Sequence, residues 1–130
     1  MSRVLFVCVH NAGRSQMAEA LFAQGAGERH EARSAGSRPA AQVHPEVTAA
    51  MREIGIDLEG RTPRALIRDD LEWADLVVTM GCGDDCPVLP GTERVDWELL
   101  DPAARSAGEV RAVRDDIRRR VRTLLDELNP

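Results

Sequence analysis

Aromatic residues and long apolar runs are both scarce in this sequence. It has no tyrosine, two phenylalanines and two tryptophans, so aromatics make up 3% of its 130 residues. The apolar run at residues 4–9 is too short for the core of a signal peptide, and no segment approaches the roughly 20 apolar residues of a membrane-spanning helix. We therefore expect a cytoplasmic protein with no membrane partner.

An excess of positive charge is also missing. The chain has 17 basic and 22 acidic residues, which gives a formal net charge of −5. Such a protein has no general electrostatic attraction to nucleic acids or to anionic membranes, and we expect neither as a partner. Any anion that it binds must be held by a local site that works against the overall charge.

Cysteine is the third scarce residue, with three in the chain. An odd, small number argues against a structural disulfide framework. Cys82 and Cys86 are separated by three residues, and no second pair of cysteines or histidines follows to complete a tetrahedral zinc site. Each thiol is either a small buried apolar group or a candidate for nucleophilic or redox chemistry.

Short apolar segments alternate with amphipathic ones along the chain. The patterns predict strands at residues 3–8, 32–36, 74–80 and 93–97, and helices that begin at Arg14, His44, Thr62 and about Ser106. In the helix predicted between Thr62 and Leu71, Thr62 is the N-cap and Pro63 the first residue. This alternation predicts one doubly wound α/β domain over residues 1–130, with a central four-stranded parallel sheet flanked by helices.

The loop after the first strand carries the strongest chemical pattern. Cys8 and Arg14 are separated by five residues, directly after an apolar strand and directly before a helix. Backbone N–H groups of such a loop converge on one point and form an anion nest, and Arg14 adds a planar pair of donors that matches a tetrahedral oxyanion. The positive field favours the reactive thiolate at Cys8. We predict Cys8 as a nucleophile and an oxyanion site formed by Val9, His10, Asn11, Ala12, Gly13 and Arg14.

Further residues are candidates to assist Cys8. Ser15 is placed to donate a hydrogen bond to the thiolate or to help turn over an intermediate. Asp101, followed by Pro102, is a candidate acid that protonates a leaving oxygen, although Asp-Pro is also a plain turn pattern. A sulfur of the glycine-flanked loop that carries Cys82 and Cys86 could attack an oxidised Cys8 and form a disulfide.

Taken together, these segments resemble the low-molecular-weight tyrosine phosphatases and, more narrowly, the arsenate reductases built on that fold. The resemblance covers nearly the whole chain and rests on residues 7–19, 34–36, 77–87 and 97–103. It implies that Cys8 attacks arsenate and displaces water, with Asp101 as proton donor. A second thiol then attacks the Cys8 sulfur, and arsenite leaves with the electron pair. Phosphate and sulfate are the expected analogues.

The resemblance also implies a reductant. No tightly bound cofactor is implied. The expected reductant is an external thiol, either thioredoxin or mycothiol with a redoxin partner. In the thioredoxin-coupled members two loop cysteines relay the disulfide outward. Cys86 matches the outer cysteine of that relay. Cys82 matches the inner cysteine only with an offset of one residue, and the spacing between the two is shorter. The pattern is therefore closer to that of the members that use mycothiol.

The resemblance also bears on metal binding: the potassium site of some relatives maps to Asn11, Glu19 and Ser34, without its further acidic ligand. A monomer is the default expectation.

Two other functions use some of the same residues. A protein tyrosine phosphatase would use the same loop and acid, but the chain lacks aromatic walls, has Ala103 where the phosphatases place an aromatic residue, and carries two cysteines that a phosphatase does not need. An oxyanion- or arsenite-binding regulator would show a DNA-binding element. The net charge of −5 and the lack of a helix-turn-helix pattern disfavour it.

Overall fold

The computed structural model describes residues 1–82 and 86–129 as four parallel strands and four helices. The strands are β1 (Arg3–Cys8), β2 (Glu31–Gly36), β3 (Leu76–Met80) and β4 (Glu93–Asp96). The helices are α1 (Arg14–Ala26), α2 (Pro45–Arg52), α3 (Arg68–Trp73) and α4 (Ala107–Leu128). The strands form one sheet in the order β2-β1-β3-β4 with every pair parallel, which confirms the predicted architecture.

Strand β1 lies inside the sheet and is buried on both faces. Val4 and Phe6 pack into a cluster with side chains of α1, α2 and α4, whereas Leu5 and Val7 pack against α3 on the other face. All four side chains are fully buried. This explains why β1 is a continuous apolar run and not an alternating one. None of the helices within the described residues is both long and apolar enough to cross a membrane.

Helix α4 follows the sequence prediction closely. Ser106 caps its start: the Ser106 hydroxyl accepts the Glu109 N–H, and the Glu109 carboxylate accepts the Ser106 N–H. This is the reciprocal capping arrangement that fixes where a helix begins. Its apolar stripe is buried at Val110, Val113, Ile117, Val121 and Leu124, in the same cluster as Val4 and Phe6 of β1.

The helix predicted to start at Thr62 is wrong in its position. Residues 62–67 are not helical, Ala65 forms an isolated parallel bridge with Gly36, and the helix begins at Arg68. The backbone of this segment pairs with the end of β2: the Gly36 N–H donates to the Arg64 carbonyl, and the Leu66 N–H donates to the Gly36 carbonyl, both at 2.9 Å. These tertiary hydrogen bonds satisfy the backbone without a helix, and they bring Arg64 to the edge of the Cys8 loop.

An ion-paired cluster joins α2 to α4 and predicts an acid-dependent stability. Arg111 and Arg114 of α4 donate hydrogen bonds to the Glu53 carboxylate at 2.8–3.1 Å, and those from Arg111 contribute most to lowering the pKa of Glu53 from 4.5 to about 2. A carboxyl whose pKa is lower in the folded state stabilises the fold above its unfolded pKa and loses this contribution as the pH falls through its folded pKa.

We therefore expect Glu53→Gln to lower the melting temperature at neutral pH. The difference from the unmodified protein should shrink between pH 4.5 and pH 2, as Glu53 becomes protonated. Thermal unfolding followed at a series of pH values measures this. A difference in melting temperature that stays constant down to pH 2 would show that the ionisation of Glu53 contributes nothing to stability.

Candidate oxyanion site and cysteine pair

The loop between β1 and α1 turns its carbonyl groups outward. Backbone N–H groups of the segment 37–44 donate at 2.8–3.1 Å to four of these carbonyls, those of Cys8, Val9, His10 and Ala12. Because the N–H and C=O of a peptide point in opposite directions, the loop N–H groups are left facing its inner side. Among the described residues, the N–H groups of His10, Ala12 and Gly13 have no acceptor. The inner side of the loop therefore presents converging donors, as an anion nest requires.

Cys8 lies at the base of this nest, 2% exposed and in the free thiol form. Its Sγ is 2.8 Å from the Ser15 Oγ and accepts the Asn11 N–H at 3.3 Å. The Ser15 Oγ itself accepts the Asn11 Nδ2–H group at 2.6 Å. The hydroxyl hydrogen of Ser15 is therefore free to point at the sulfur, and two donors converge on Cys8. Both donors are in place to stabilise negative charge on the sulfur during a reaction.

Asn11 organises this arrangement from a left-handed backbone conformation, with φ of +52°. Asparagine is among the few non-glycine residues that adopt this conformation readily. Its Oδ1 accepts the Gln16 Nε2–H group and the Arg64 backbone N–H, both at 3.1 Å. With its oxygen held by two donors, the amide must direct its nitrogen at Ser15. Asn11 is predicted in the loop from the sequence, whereas no sequence pattern points to a role for Gln16 or Arg64.

Arg14 is buried beside the nest, and the structure brings Asp101 next to it. Its guanidinium Nη2 lies 3.6 Å from the Asp101 carboxylate, which is 44% exposed and also accepts the Ala103 N–H at 3.0 Å. Gly81, in the turn after β3, supports Arg14 from the other side. A Cβ atom at position 81 would lie 2.2 Å from the Arg14 Nη1, and the φ of Gly81 is +84°. A side chain at position 81 would therefore displace the Arg14 guanidinium and strain the backbone, and no pattern in the sequence pointed to this glycine.

Cys82 and Cys86 form a disulfide, so three intervening residues do allow this pair to close. Residues 83–85 lie outside the described residues, and they include Gly83, one of the two glycines that flank Cys82. Both cysteines are buried in the cluster that contains Leu5 and Val7, and the Cys82 Sγ lies 3.8 Å from the Val7 carbonyl oxygen. Cys8 belongs to the cluster on the opposite face of β1. In this state the disulfide and the free thiol are on opposite faces of the sheet.

The residues to which a potassium site maps are engaged with protein partners. The Glu19 carboxylate accepts the Ser34 hydroxyl at 2.5 Å and pairs with the Arg61 guanidinium at 3.1 Å. A fixed cationic side chain therefore lies beside Glu19. Within residues 1–82 and 86–129, no group of three His, Cys, Asp or Glu side chains is arranged to hold a metal ion.

Comparison with known proteins confirms the resemblance. The sequence model of the family described as low molecular weight phosphotyrosine protein phosphatase matches residues 3–130. A putative arsenate reductase of Halobacterium salinarum is 46% identical over an alignment of 131 positions that covers 96% of this chain and 92% of the relative. The glutaredoxin arsenate reductase of Synechocystis is 35% identical, over 99% of this chain and 100% of the relative.

Solved structures agree with these relatives. The thioredoxin-dependent arsenate reductase of Corynebacterium glutamicum has a TM-score of 0.84 and 41% identity; the match covers 99% of this chain but only 62% of that longer chain. An arsenate reductase in its phosphate binding state has a TM-score of 0.86 and 34% identity, with 98% of each chain covered. On this evidence, the chain belongs to the low molecular weight phosphotyrosine protein phosphatase family.

Proposed function

We propose that this protein reduces arsenate to arsenite. The observation that carries the proposal is the combination of a free Cys8 in an oxyanion nest with a second, separate pair of redox-competent cysteines. A hydrolytic phosphatase needs the nest and the acid but has no use for the pair. The relatives with 35–46% identity are named as arsenate reductases, and one similar structure is described as binding phosphate, which has the same tetrahedral shape as arsenate.

The first chemical step forms a bond between sulfur and arsenic. Arsenate is held by the N–H groups of residues 9–14 and by the Arg14 guanidinium, and the Cys8 thiolate attacks the arsenic atom. One As–O bond breaks, and Asp101 protonates the departing oxygen, which leaves as water. Arsenic remains pentavalent in this step. Ser15 stabilises the thiolate before the attack and again when Cys8 is released.

The second step transfers two electrons. A second thiolate attacks the Cys8 Sγ, an S–S bond forms, and the electron pair of the breaking S–As bond stays on arsenic, which leaves as arsenite. We assign this attack to Cys82. Cys86 then attacks the Cys82 Sγ and releases Cys8 as a thiolate, which produces the pattern of one disulfide and one free thiol seen in the structure. Because Cys82 packs on the opposite face of β1, the turn at Gly81 must move between the reduced and oxidised states.

An external thiol must then reduce the Cys82–Cys86 disulfide. The relatives supply two precedents, since one is named as thioredoxin-dependent and another as a glutaredoxin arsenate reductase. We propose a dithiol protein such as thioredoxin, because a completed intramolecular disulfide is the substrate of such a reductant. Mycothiol with a redoxin partner is the alternative, in which the external thiol attacks Cys8 directly. We place this reaction in the cytoplasm, where thiols are kept reduced, and in a monomer.

Serine variants of the cysteine pair separate the two reductants. With thioredoxin, Cys82→Ser and Cys86→Ser are each expected to lose steady-state arsenite formation, because neither can complete the relay. Phosphate binding at the nest should stay unchanged in both, which makes it the internal control. If both variants keep full turnover with mycothiol and its redoxin, while the unmodified protein does not respond to thioredoxin, the relay is discarded and the external monothiol takes its place.

A further inference from the structure

A buried carboxylate, Asp70 of α3, lies outside the nest and has no part in the chemistry described above. It has no exposed surface. Three donors surround it: the Arg64 guanidinium at 2.6 Å, the Ile67 backbone N–H at 3.2 Å and the Arg33 guanidinium at 3.3 Å. Burying a charge is costly unless its partners are fixed around it. The Arg64 contact is the shortest of the three, so the position of Arg64 depends on Asp70.

Arg64 connects this carboxylate to the loop. One guanidinium nitrogen donates to Asp70, and the other donates to the Ser34 carbonyl of β2 at 2.6 Å. The Arg64 backbone carbonyl accepts the Gly36 N–H at 2.9 Å. The side chain and the backbone of Arg64 are thus both fixed against β2. Its own N–H donates to the Asn11 Oδ1, which is one of the two hydrogen bonds that orient this amide.

The orientation of Asn11 decides which way the Ser15 hydroxyl points. While Asn11 Nδ2 donates to Ser15, the hydroxyl hydrogen is directed at the Cys8 sulfur. If the amide rotates by half a turn, its oxygen faces Ser15 and accepts the hydroxyl hydrogen instead. The Cys8 thiolate then loses one of the two donors that stabilise it.

We propose that Asp70 is a positioning residue for Cys8: through Arg64 and Asn11 it maintains the hydrogen bond from Ser15 to the thiolate. The inference deepens the proposed function and shares with it only the premise that Cys8 is the nucleophile. It needs no assumption about arsenate or about the reductant.

The chain offers a matched control for the test. Asp69 is the neighbouring residue on α3, carries the same charge and pairs with the same Arg33 at 3.2 Å, but its side chain is 74% exposed. In the oxidised protein Cys8 is the free cysteine, so iodoacetamide reports on it alone. We expect Asp70→Asn to move the pH profile of alkylation to higher pH and to slow alkylation at neutral pH by about tenfold, the size typical of residues that orient a reactive group. Asp69→Asn should leave the profile unchanged.

A second variant keeps the test decisive if Asp70→Asn does not fold. Arg64→Met removes the guanidinium, keeps the backbone N–H and changes a side chain that is 42% exposed. It should shift the alkylation profile in the same direction, and the double variant should shift it no further than Asp70→Asn alone, because both act through one route. Lower melting temperatures with alkylation profiles that superimpose on the unmodified protein would overturn the proposal and leave Asp70 a purely structural residue. Since the assay contains no arsenate, a failure of arsenate reduction would not be confused with this result.

Discussion

Replacing Cys8 with serine is expected to abolish arsenite formation. A serine hydroxyl is a weak nucleophile at neutral pH, and its oxygen cannot enter a disulfide, so both steps of the proposed reaction fail together. The expected loss in turnover is on the order of 10⁴-fold or more, as for other enzymes that lose their nucleophile. Arsenite formed in the presence of a complete thiol-reducing system measures it.

Phosphate binding serves as the control for this variant. The nest is formed by backbone N–H groups and by Arg14, none of which is changed in Cys8→Ser. Titration calorimetry with phosphate should therefore give an affinity close to that of the unmodified protein. Turnover that survives in Cys8→Ser would remove Cys8 from the reaction, and a simultaneous loss of phosphate binding would show that the variant had disturbed the nest itself.

Replacing Gly81 with alanine is expected to reduce oxyanion affinity by roughly a hundredfold, the loss typical of a bidentate charged donor that is moved out of place. The added Cβ would lie 2.2 Å from the Arg14 Nη1, so the guanidinium must leave its position. The binding constant for phosphate measures the effect.

Gly91→Ala provides the matched control. Gly91 has a φ of +87°, close to the +84° of Gly81, but within the described part of the chain a Cβ at position 91 meets no atom within 4 Å. It should lower stability by about 1 kcal/mol through backbone strain and leave phosphate affinity unchanged. Equal phosphate affinity in the Gly81 and Gly91 variants would contradict the packing of Arg14 against Gly81.

Much of the fold and of the nest could be predicted because the signals are local. β1 is a continuous apolar run that ends at the nucleophile, and the following loop and helix start lie within a few residues of it. The start of α4 is marked by the Ser106 and Glu109 pattern, and its buried face by an apolar stripe. Cys8, Arg14 and Asp101 were all named from the sequence, and the structure places the Asp101 carboxylate 3.6 Å from the Arg14 guanidinium.

The parts that could not be predicted depend on long-range contacts. Thr62 and Pro63 form a good local helix start, yet the backbone that follows pairs with Gly36 instead. Arg64 reaches Asn11 across 53 positions of sequence, and nothing in the local pattern of either residue announces the contact. Whether Cys82 faced Cys8 or turned away from it depended on how the chain leaves β3, which the spacing of the cysteines does not determine.

The placement of the two sulfur sites has a mechanistic consequence. The nest and the Cys82–Cys86 disulfide lie on opposite faces of β1. Gly81 lies against the Arg14 guanidinium and directly precedes Cys82 in the sequence. In the proposed relay, Gly81 would therefore affect both oxyanion binding, through Arg14, and the approach of Cys82 to Cys8.

The most direct measurement of the central claim is a single turnover without added reductant. The fully reduced, desalted protein is mixed with excess arsenate, and arsenite and free thiols are counted. The proposed reaction predicts one arsenite per chain and the loss of two thiols, with the final disulfide between Cys82 and Cys86. If no arsenite forms here or with thioredoxin, glutaredoxin or mycothiol present, while a tyrosine-phosphate mimic is hydrolysed readily, the protein is a phosphatase and the proposal of arsenate reduction is wrong.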